Sequence, residues 1–128
     1  MILASCCYIG VSAQDTQHSL RFYEMLAHKD ASYEHSFQMM NHQDEQDYWA
    51  DQQDFERDLG MADFASYLIY MKGKKDAYLH HLQSCESCIH SEVYLKMARE
   101  YLSATDFDRL LKPEASEMVQ NVPKKRQN

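Results

Sequence analysis

Apolar residues along this chain recur at three- and four-residue intervals, the spacing that gives a helix one buried face. Leu20, Tyr23, Leu26 and Ala27 follow Asp15 and Thr16, either of which can cap a helix N-terminus, so a helix is predicted over 16–29. Asp30 and Ser32 offer a second cap. Tyr33, Phe37 and Met40 then carry the stripe into a long polar stretch that stops at Gly60, as one bent helix or two. Phe64, Tyr67, Leu68 and Met71 form the next apolar face, ended by Gly73, and Asp76 starts a turn that leads through Leu79 and Leu82 to Cys85. Ile89, Val93, Met97 and Tyr101 predict a helix over 88–103, and Asp106 to Leu111 a short last one before Pro113. No segment alternates as a hairpin strand would, and β-branched residues are scarce. The expectation is an all-α, single-domain helical bundle over 15–112, with an apolar segment at 1–14 and a disordered tail at 113–128.

Composition narrows this picture. A chain of 128 residues with 45% apolar content, three Gly and two Pro supports one modest core and not two. The net charge of −7 argues against direct nucleic-acid binding, which needs Lys and Arg to neutralise phosphates. No stretch approaches the roughly 20 apolar residues of a transmembrane helix. Met1 to Ala13 is uncharged and resembles a secretory h-region ending in Val-Ser-Ala, while Leu3-Ala4-Ser5-Cys6 resembles a lipobox. Both readings lack a basic n-region, and the plainer one is an apolar segment packed on the helices. Cys6 and Cys7 are left out of any metal site.

Candidate chemistry concentrates in His80-His81-Leu82-Gln83-Ser84-Cys85-Glu86-Ser87-Cys88. Zinc favours thiolate and imidazole in a tetrahedron, and a Cys-x-x-Cys turn sets two sulfurs at about the right separation. His81 lies four residues before Cys85, on the same face of a continuing helix, so His81, Cys85 and Cys88 are the expected metal ligands. Redox enzymes use the same Cys spacing, usually after a strand, which is not found here. No Gly-rich phosphate loop, Gly-x-Ser-x-Gly elbow or His-Glu-x-x-His pair is present. A non-enzymatic role with structural zinc is expected.

The stretch His81-x-x-x-Cys85-x-x-Cys88, with Leu82 after the histidine and a helix after the second cysteine, resembles the zinc-finger family of bacterial zinc-binding anti-sigma factors. That resemblance covers residues 60–103. It implies a small cytoplasmic helical domain that holds zinc through this motif, wraps a sigma factor and regulates transcription by protein–protein contact. In some members, oxidation of the cysteines ejects the zinc. The family commonly adds a histidine or cysteine well upstream, and positions 43–79 contain neither. The fourth ligand is therefore open among His42, Asp51, Asp54, His80, His90 and water.

Asp44, Asp47, Asp51, Asp54 and Asp58 recur at helical spacing and gather five carboxylates into one stripe, either a plain solvated face or a surface for a basic partner. Trp49, Tyr48 and Phe55 beside it are expected in the core, as are Met39, Met40, Met61, Met71 and Met97. Glu24 and His28 share a face but lack the second helix motif of a di-iron bundle. Two other function classes stand beside the anti-sigma reading: an exported or lipid-anchored helical protein, and a thiol redox protein using Cys85 and Cys88.

Overall fold

Residues 11–37 and 40–111 are described by the computed structural model, and they form five helices with no strand among them. The order is α1 (Val11–Glu34), α2 (His42–Ala62), α3 (Phe64–Ser84), α4 (Glu92–Tyr101) and α5 (Ala104–Leu111). The all-α helical bundle is as expected. Segments 1–10 and 112–128, which hold the signal-like stretch up to Gly10, Cys6, Cys7 and the C-terminal tail, lie outside the described residues, as does Met39.

Polar caps set the helix starts. The Asn41 side chain accepts from the Asp44 amide, Asp63 from Ser66, and Ser91 from Tyr94. Asp63 ends α2 with its own amide, bonded to the Leu59 carbonyl, and begins α3 with its side chain, so one residue makes the whole corner.

Several expected boundaries move. Asp30 and Ser32 do not start a helix: α1 runs through them to Glu34, because Ala31 and Glu34 are buried and the Asp30 carboxylate accepts the Tyr70 hydroxyl at 2.7 Å. Residues 11–14, assigned from sequence to a separate segment, belong to α1. Gly60 lies inside α2 and Gly73 inside α3, which continues past Asp76 without a break. The helix expected over 88–103 is shorter, since residues 85–91 are an irregular loop.

Packing explains why α3 overrides the stop signal of Gly73. This helix touches each of the other four. The pairs Asp30–Tyr70, Glu34–Lys74 and His35–His81 step in the same direction along the two segments, so α1 and α3 run parallel. At their closest approach a Cβ on Gly73 would stand 2.8 Å from the Ala27 Cβ and 3.3 Å from the Glu24 carbonyl oxygen. Gly60 faces the Tyr67 ring at an ordinary 3.5 Å. Gly73→Ala should therefore lower stability by about 1–2 kcal/mol, overpacking outweighing the gain in helix propensity. Gly60→Ala should raise it by about 0.5–1 kcal/mol. Urea unfolding midpoints moving in opposite directions would confirm the pair.

Trp49, Tyr78, Leu82, Tyr94, Met97 and Tyr101 anchor the main core, while Ala27, Leu59 and Tyr70 form a second cluster. Tyr48, Phe55, Met40 and Met71 pack partly buried against them. The expected face of Phe64, Tyr67, Leu68 and Met71 is not the buried one: Phe64 and Leu68 are more than half exposed, and α3 buries Ser66, Tyr70, Lys74, Tyr78 and Leu82 instead. Met61, expected in the core, is 74% exposed.

Lys74 sits at the centre of this core with its side chain fully buried, paired with an equally buried Glu34. Glu34 also accepts the hydroxyls of Tyr48 (2.9 Å) and Tyr78 (2.7 Å), and the Lys74 ammonium lies 4.5 Å from the centre of the Tyr101 ring. Burial pushes the Glu34 carboxyl up and the Lys74 ammonium down, and their mutual attraction opposes both shifts.

Candidate metal centre

The end of α3 builds the site. His81 occupies its last turn and Cys85 is its C-cap, while Cys88 follows in the loop before α4. Ser84 closes the turn by donating its hydroxyl to the His80 carbonyl at 2.7 Å and the His81 carbonyl at 3.2 Å. The ligating atoms of His81, Cys85 and Cys88 all lie within 4.8 Å of one another, and the three side chains are half-buried. His81 Nε2 is 3.8 Å from Cys88 Sγ. Such a group can hold a metal ion once its thiols are reduced. The two sulfurs are joined here as a disulfide, with Cα atoms 5.8 Å apart.

A shell of rings surrounds this group. His35, just past the end of α1, stacks on His81 with centroids 3.8 Å apart and planes 6° from parallel. The His35 Nδ1 and the Tyr94 hydroxyl share a 2.7 Å hydrogen bond. His90 stacks on Tyr94 at 4.0 Å and meets the His81 ring edge-on at 5.7 Å and 65°. Burial pushes the His35 imidazole down to about 3, with His81 and His90 adding to the effect. It lowers His81 and His90 as well, helped by His80 and His81 respectively. Each of these shifts favours the neutral ring, the form in which imidazole binds a metal.

Of the oxygen and nitrogen donors expected as a fourth ligand, none stands within that distance of all three ligand atoms among the described residues. His42 is exposed on α2 and bonds Gln46 at 3.0 Å, and Asp51 is exposed on the same helix. Asp54 pairs with Arg57 at 2.8 Å, and His80 is exposed. His90 alone of these contacts the His81 ring. Sequence reasoning gave no role to His35. It falls outside the apolar stripe of Tyr33 and Phe37, and no local signal marks it.

No known protein family, curated protein or solved structure matches this chain.

The acidic stripe lies on the outer face of α2, with Asp44, Asp47, Asp51, Asp54 and Asp58 all exposed opposite buried Glu45, Trp49, Gln52 and Leu59. Asp47 accepts from Gln43 at 2.8 Å, and Arg57 bridges Asp54 and Asp58. Beside the metal group, an open cleft of about 420 Å³ runs between α1 and α3, lined by His28, Ser32, His35, Ala77, His80, His81 and Ser84. This cleft gives the His81 ring a route to solvent. No helix among the described residues is long and apolar enough to cross a membrane.

Proposed function

We propose that this chain is a zinc-binding helical module that regulates transcription as anti-sigma factors do, by holding a sigma factor through its helices, in the cytoplasm. The observation that carries the metal part is the convergence of His81, Cys85 and Cys88 within 4.8 Å at one helix end. Two thiolates and an imidazole supply three of the four donors of a tetrahedral zinc site. Support for a binding role comes from the surface: Met61, Phe64 and Leu68 are exposed apolar side chains around the α2–α3 corner, and the aspartate stripe stands on α2. Apolar contacts rimmed by charge suit a protein partner with a basic face.

The test is a defined transcription reaction, in which the zinc-loaded chain is titrated against each sigma factor of its source organism. Inhibition of one sigma factor, lost with Cys85→Ser, is the expected result. Failure to inhibit or bind any of them would overturn the anti-sigma reading.

The Cys85–Cys88 disulfide favours a second reading, a thiol redox protein whose working groups are the same two sulfurs. That reading predicts catalytic disulfide exchange with a small dithiol and turnover that zinc inhibits. Stoichiometric oxidation without turnover would exclude it.

A further inference from the structure

We propose that His90 supplies the fourth ligand, completing a centre of two cysteines and two histidines within residues 81–90; this rests on the metal reading above. Three observations carry it. The His90 Nε2 is buried and has no hydrogen-bond partner, as does the His35 Nε2, and a buried polar nitrogen in this state is costly. Metal ligation uses the lone pair in the plane of the imidazole, so two histidines can share an ion only where their ring planes intersect. The His35 plane lies 6° from that of His81, and the in-plane lone pairs of the two rings run side by side without meeting. The His90 plane crosses that of His81 at 65°.

Chain placement favours the same residue. His90 is two residues past Cys88 in the irregular loop, where backbone adjustment is not opposed by helical hydrogen bonding. Its ring rests on Tyr94, and the next residue, Ser91, caps α4 and donates its hydroxyl to the buried Glu45. A metal held by His81, Cys85, Cys88 and His90 therefore ties the end of α3 to the start of α4. His35 serves as the packing wall behind His81.

The reduced full chain loaded with cobalt(II) or zinc, beside His90→Ala, His90→Cys and His35→Ala, tests this. Wild type should give the visible bands of a tetrahedral ion with two thiolates and two imidazoles. His90→Ala should lose more than about 100-fold in zinc affinity, beyond what loss of an outer partner costs. His90→Cys should bind with the stronger charge-transfer absorption of three thiolates, a readout that a merely structural role would not produce. His35→Ala should keep the wild-type spectrum. Wild-type binding with an unchanged spectrum and affinity in His90→Ala, or no third thiolate in His90→Cys, overturns the assignment of His90 and leaves the three-residue metal site standing. No metal bound by reduced wild type overturns both.

Discussion

Lys74→Met should lower the stability of the fold by about 3–5 kcal/mol, the usual cost of leaving a buried charge without its partner. Methionine fits the aromatic surroundings of Lys74 well, so the loss comes from Glu34 and not from packing. That carboxylate is fully buried and would keep only the hydroxyls of Tyr48 and Tyr78 as donors. Burial already raises the Glu34 pKa, and attraction to the Lys74 ammonium is the strongest effect lowering it again. Without Lys74 the folded-state value rises further above the unfolded one. A group raised in this way contributes its stability below the unfolded pKa and loses it as pH rises through the folded value. The deficit of Lys74→Met should thus be largest near neutral pH and shrink toward pH 4–5. Glu34→Leu combined with Lys74→Met should recover part of the loss but not all, because the buried Tyr78 hydroxyl and the partly buried Tyr48 hydroxyl are left without their acceptor. Urea titrations at several pH values measure this. A Lys74→Met midpoint equal to wild type at pH 7 would show that the pair contributes nothing.

Zinc should give the second large effect. With metal at about a thousandfold its dissociation constant, the reduced protein should gain about 4 kcal/mol, since the unfolded chain holds no preformed site. The gain should vanish on chelation and fall with acidification, as His81 and two thiols take up protons in place of metal. Oxidation to the Cys85–Cys88 disulfide should also abolish it, because each sulfur then lacks the thiolate electron pair that zinc requires. Equal thermal midpoints with and without zinc under reducing conditions would contradict this expectation.

Much of the helical content was legible in the sequence because period is local. The α3 end carries the motif as its spacing implied, but the caps read from local chemistry, Asp15 or Thr16, Asp30 or Ser32, and Asp76, all lie inside helices, and Asn41, Asp63 and Ser91 cap instead. The errors came where tertiary contact outweighed a local signal. Gly73 looked like a stop and is the point where α1 and α3 touch; Asp30 looked like a cap and holds Tyr70 across the bundle. Charge also misleads a pattern reading. The apolar stripe marked Phe64 and Leu68 as core and gave no place there to Lys74 or Glu34, whereas the charged pair is buried and the two apolar side chains are more than half exposed. The metal group was legible because His81, Cys85 and Cys88 lie within eight residues on one helix end. His35 was not, since it reaches His81 from the turn after α1, far away in sequence, and only a three-dimensional arrangement reveals that their rings stack.

If His81, Cys85 and Cys88 hold zinc, the metal accompanies the reduced chain and leaves with either thiol. Metal content of the purified, reduced chain by elemental analysis, beside Cys85→Ser prepared in the same way, tests it most directly. The prediction is about one zinc per chain in wild type and essentially none in the variant, as a single tetrahedral site requires. Wild type free of metal under reducing conditions, or a variant that retains its zinc, would contradict it.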